Sequence, residues 1–161
     1  MEGLHRRKRL PVWLLLFLAI MSLGAAAERS VYSQSSNKDL RQRTLTLVKN
    51  IRTLVTSYQQ KDRELMADYD KKVTEYRVNE RKAVREQWIR QTDAAHDATM
   101  RRYRDSYWAD AILLLDELYR RVPQRMRQKN ILPIYQHPTN VLGVETIANH
   151  LELMAKALPD G

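Results

Sequence analysis

The sequence contains no cysteine. That excludes a disulfide framework, a thiolate zinc site, an iron–sulfur cluster, a thiol nucleophile and acylation of a lipoprotein cysteine, so the fold must hold by packing alone. No glycine or proline falls between Gly24 and Pro123 either. Folds built of strands and turns need such residues roughly every 8 to 12 positions. With Arg, Lys, Glu, Gln and Ala abundant over the same stretch, this silence predicts an all-α fold of long helices. Glycine-rich phosphate loops and a nucleophile-elbow serine are missing, and the carboxylate pairs fall at surface-helix spacing. The chain therefore reads as a non-enzyme, with no cofactor, metal or small-molecule substrate expected.

What is present begins with an address. Arg6, Arg7, Lys8 and Arg9 precede an apolar run from Val12 to Leu23, and Ala25-Ala26-Ala27 supplies small residues where a signal peptidase cuts. Residues 1–27 read as a signal peptide, and the product is periplasmic or extracellular. The run is shorter than the roughly 20 residues that span a bilayer, although counting residues 10–27 together allows an inner-membrane anchor. The chain carries 28 Lys and Arg against 19 Asp and Glu, a formal charge of +9. Leader residues account for three of those charges, so the remainder stays clearly basic. Outside the cytoplasm the polyanions to consider are lipid head groups, envelope polymers and acidic protein segments; nucleic acid is not expected.

Residues 28–37 are polar and read as a flexible leader. Ser35, Ser36 and Asn37 then offer caps for a helix starting near Asn37 to Asp39. Through 38–122 a stripe that includes Val48, Ile51, Val55, Tyr58, Leu65, Tyr69, Val73 and Tyr76 recurs at steps of three and four, the spacing of one helical face. It predicts coiled-coil-like pairing, either within the chain or with another copy. A single helix over this length would be too long for a monomer, so a hairpin is expected, with the reversal at Thr92-Asp93 favoured over Val78-Asn79. Five pairs, Asp68/Lys72, Lys71/Glu75, Lys82/Glu86, Glu86/Arg90 and Asp97/Arg101, are spaced to bridge along a helix. The likeliest compact core is Tyr107 to Tyr119. Over 123–161, Pro123 stops the second long helix, Ile131 to Tyr135 reads as extended, and 137–140 as a turn. Val144, Ile147, Leu151, Met154 and Leu158 mark a short C-terminal helix packed on the second long helix.

Three groups of residues are candidates for function. The Val48 to Tyr76 stripe is the candidate partner-binding face, for self-association or another envelope protein. Arg120, Arg121, Arg125, Arg127 and Lys129 form the densest basic cluster and the candidate anion-binding surface, toward an anionic membrane or polymer; the competing reading is complementation of a helix C-terminus. His96 with Asp93 and Asp97 lacks the further ligands that a metal site needs. Tyr103, Tyr107 and Trp108 among arginines are expected to pack rather than bind.

These features point to an exported, non-enzymatic helical scaffold or interaction protein of the bacterial cell envelope. In outline, a basic exported hairpin is similar to the periplasmic Skp/OmpH chaperones, a resemblance of architecture and charge that implies holdase activity. A basic binder of anionic envelope polymers is the remaining alternative.

Overall fold

The computed structural model describes residues 31–78, 80–123 and 136–160; these are helices and their connections, with no strand among them. Helix α1 spans Asn37–Glu75. Its start follows from Ser36, whose hydroxyl accepts the Asp39 backbone N–H at 3.1 Å, and from the Asp39 carboxylate at the positive end of the helix dipole. Helix α1 ends where Tyr76 turns extended while its N–H still bonds to the Lys72 carbonyl. Helix α2, Arg81–Tyr103, returns beside it. The reversal thus sits at the Val78 end of the run and not at Thr92-Asp93, which lies inside α2. Pairing of Tyr69 with Trp88, ring centroids 5.0 Å apart, and of Tyr58 with His96, at 6.1 Å, sets the antiparallel alignment.

The second rod continues through one π-helical stretch, Arg104–Trp108, into helix α3, Ala109–Arg121. Val122 then turns extended, the conformation favoured for a residue that precedes proline. Helix α4, Val141–Lys156, starts at Asn140, whose side chain accepts the Gly143 N–H at 2.9 Å. Gly143 permits this close turn, because a Cβ there would lie 2.9 Å from Pro138 Cβ. The expected extended segment from Ile131 to Tyr135 lies outside the described residues.

Burial divides the hairpin into two unlike parts. In α1 the residues from Leu40 to Val55 include Leu40, Thr44, Leu47, Val48, Ile51, Leu54 and Val55 in the core, but beyond Val55 only Leu65 is buried. In α2 only Val84 and Tyr103 are buried. Helices α3 and α4 supply the opposing wall, with Ala111, Leu114, Leu115, Leu118, Val144, Ile147, Leu151 and Met154. Helix α4 does pack on the second rod, as expected, yet its largest contact is with α1. The base is therefore a three-helix body from which α1 and α2 project as a two-helix arm. Each fully buried Leu, Ile or Val of the base is worth about 1.5–3 kcal/mol, and the arm has few of them.

One polar pair lies inside this base. The Tyr119 hydroxyl is 2.7 Å from His150 Nε2, joining α3 to α4, and it donates to the ring in the tautomer that carries its proton on Nδ1. Burial lowers the His150 pKa below its ordinary 6.5. The folded chain then resists a proton that the unfolded chain takes up, so stability is full above about pH 6.5 and falls as pH drops toward the lowered folded value. Thermal melts should show Tm decreasing as pH is lowered through this window. His150→Gln should flatten the dependence; an unchanged slope would remove His150 as its source.

Candidate interaction surface

The stripe predicted to bind a partner is divided by the fold. Val48, Ile51 and Val55 are buried in the base and Tyr58 packs on its edge, so these four are spent within the chain. Leu65 is buried in the arm, Tyr69 lies against Trp88, and Val73 is half-buried. Tyr76 alone of the eight is exposed. Around it the arm carries further open apolar side chains, with Met66 44% exposed, Val78 75% and Ile89 40%.

The arm's seam is weakly held. Trp88 Nε1 and Thr92 Oγ1 are buried without a hydrogen-bond partner among the described residues, each at a cost of about 1–3 kcal/mol. Of the five charge pairs anticipated, Lys72–Asp68 closes at 2.7 Å and Lys71–Glu75 at 4.0 Å. The other three form no ion pair, as expected of exposed partners that gain little from fixing two long side chains.

Of the basic cluster the structure describes Arg120 and Arg121. Arg121 does not face solvent as an anion site; its guanidinium is half-buried and donates to the carbonyls of Tyr32, Ser33 and Ser35 and to Asn37 Oδ1, at 2.6–3.2 Å. Its Nε donates at 2.7 Å to Glu117, a carboxylate nearly closed to solvent. Five donors in a fixed fork suit this gathering of carbonyls, which no lysine could match. From Val31 the chain forms a short helical turn and is fastened to α3 at the base, while residues 28–30 lie outside the described residues. Arg120 is exposed and meets Glu117 at 3.2 Å. Arg125, Arg127 and Lys129 lie outside the described residues.

A second set of ties holds the C-terminus. Arg41 donates to the carbonyls of Ala155 and Leu158 and to Asp160, Asn37 donates to the Pro159 carbonyl, and Arg52 pairs with Glu152 while donating to Asn149. Between α1 and α3 a groove of about 480 Å³ is lined by Tyr32, Asp39, Arg43, Asn50 and Asp110 among others, with Arg43 5.9 Å above the Tyr32 ring. Its two acids and one arginine give no dominant charge for a ligand to read.

The remaining candidates settle as packing. Tyr103 is fully buried, and Trp108 packs beside both it and His137, with centroids 6.2 and 5.2 Å away. Burial raises the Tyr103 pKa, and its hydroxyl has no partner among the described residues. His96 lies edge-on to Tyr58 with Asp97 at 3.5 Å, and among the described residues no three side chains gather as metal ligands. No family model, no curated protein and no solved structure matches the chain.

Sequence reasoning missed the Arg121 clamp and the Tyr119–His150 pair. The one signal for the clamp was Glu117, an acid at i−4 on an otherwise apolar helical face. Urea unfolding should show Arg121→Ala costing about 3 kcal/mol, since it leaves Glu117 and several carbonyls without their donor. Arg120→Ala should cost under about 1 kcal/mol, as an exposed pair does. Equal losses would contradict the clamp.

Proposed function

We propose that the protein is an exported, non-enzymatic interaction protein of the bacterial cell envelope whose projecting α1–α2 arm is its contact element. Export rests on the leader, with its basic start, apolar run and small residues before Glu28. The observation that carries the rest is the division of apolar surface. The base buries a continuous core and leaves Val31, Leu45, Leu142 and Leu153 open at its surface, whereas in the arm the open Met66, Tyr76, Val78 and Ile89 outnumber the buried Leu65 and Val84. Apolar side chains gathered on an element that contributes little to stability are suited to burial against something else.

A face of two antiparallel helices offers ridges and grooves to a third helix, so a helical segment of another envelope protein, or the arm of a second copy, fits it chemically. The holdase reading draws on the same exposed residues, and it differs in the number of partners it requires.

A photo-cross-linking residue placed at Met66 or Ile89 in intact cells, with a control at Thr139 on the base, checks the assignment. Adducts are expected from the arm and not from the base. One or two stoichiometric products mean a dedicated scaffold or adaptor, and a broad ladder of unfolded outer-membrane proteins means a chaperone. Adducts confined to the base would overturn the arm as the contact element.

A further inference from the structure

The tip of the arm breaks a rule that the other end of the same hairpin obeys. Helix α1 opens with a capping serine and an acid in its first turn, but α2 opens on Arg81 and Lys82 with no acid in its first turn and no side-chain cap bond from Glu80. Cations at the positive end of a helix dipole weaken it. Arg85 follows one turn later, and Arg77 precedes, both exposed. Among the described residues, no carboxylate lies within ion-pair distance of Arg77, Lys82 or Arg85; the nearby pairs are Lys71–Glu75 and Lys72–Asp68. The same few residues hold Val78, 75% exposed, and Tyr76, 43% exposed. Arg81 closes the turn, its Nε donating at 3.4 Å to the Tyr76 carbonyl, and the Glu80 carboxylate accepts the Arg77 N–H at 3.4 Å. The side chains of Arg77, Lys82 and Arg85, set among Glu75, Glu80 and Glu86, bring no such return among the described residues, and a local rule broken without one marks a place kept for another purpose.

The shape narrows the occupant. A turn joining two helices is a convex end, which provides no slot for the side chains of a peptide. It does suit a surface that yields to it. An interfacial tyrosine and an aliphatic side chain ringed by arginine and lysine match a bilayer boundary, where apolar atoms enter beneath the head groups and cations meet phosphate.

We infer that the hairpin tip docks on an anionic phospholipid surface, with Val78 and Tyr76 entering the head-group boundary and Arg77, Lys82 and Arg85 engaging lipid phosphates. This deepens the assignment of the arm as contact element and rests on it. The grip is peripheral: no described helix is long and apolar enough to cross a membrane.

The test is co-sedimentation of the protein, purified as the exporting cell processes it, with vesicles of phosphatidylcholine alone or mixed with phosphatidylglycerol. Binding is expected only to the mixed vesicles and should weaken with added salt. Arg77→Glu with Lys82→Glu should lower affinity roughly tenfold or more. Val78→Asp should do likewise, while helicity stays unchanged because all three side chains are exposed. Indifference of the native chain to phosphatidylglycerol overturns the inference. So does a Val78→Asp variant that binds as the native chain does, since a polyanion contact needs no inserted side chain. If vesicles are ignored while Met66 still cross-links to an envelope protein, lipid docking fails and the arm remains the contact element. If vesicles are ignored and adducts come only from the base, both fail.

Discussion

The structure depends on how the long apolar stripe of α1 is covered. A 39-residue helix, about 58 Å at 1.5 Å per residue, cannot shield its own apolar face, and one antiparallel neighbour shields it only in part. From Leu40 to Val55 the stripe meets both α3 and α4 and closes into a core; from Tyr58 to Tyr76 it meets α2 alone. A firm base and a thin arm follow from that one difference in the number of neighbours.

The polar ties fall where the core alone would leave ends loose. Arg121 gathers the carbonyls ahead of α1, and Arg41 gathers those at the end of α4, so both chain ends of the body are pinned beside the same stretch of α1. Each guanidinium satisfies carbonyls that a helix end or a turn cannot satisfy for itself. Basic residues near helix ends thus serve structure in the base, while at the tip Arg81 bonds the Tyr76 carbonyl and Arg77, Lys82 and Arg85 stand without carboxylate partners among the described residues.

Much of the architecture was legible in the residues. The Ser36 cap, the stop ahead of Pro123 and the final apolar face from Val144 to Leu158 each rest on local chemistry, and each appears in the fold. The reversal was not legible in the same way, because neither candidate site carries glycine or proline. Its position follows from alignment of Tyr69 with Trp88 and Tyr58 with His96, which is tertiary information. Thr92 reads as a cap in isolation yet sits inside α2, its hydroxyl buried in the seam. The role of Arg121 was hidden for a related reason: the carbonyls that hold it lie 86 to 89 residues earlier, beyond the reach of any local pattern. The stripe packs within the chain from Val48 to Leu65, but sequence spacing alone could not apportion it between the body and the arm.

The central claim, a stable three-helix base carrying a weakly held arm, is tested most directly by native-state hydrogen exchange. The account predicts that amides of Ile51 to Val55, Leu114 to Leu118 and Leu151 to Met154 exchange only through global unfolding. Those of Lys61 to Glu75 and Arg81 to Arg90 should exchange orders of magnitude faster, through opening of the arm while the base stays folded. Uniform protection along both long helices would contradict it, for the arm would then be as firmly held as the body and its open apolar residues would not belong to a yielding contact element.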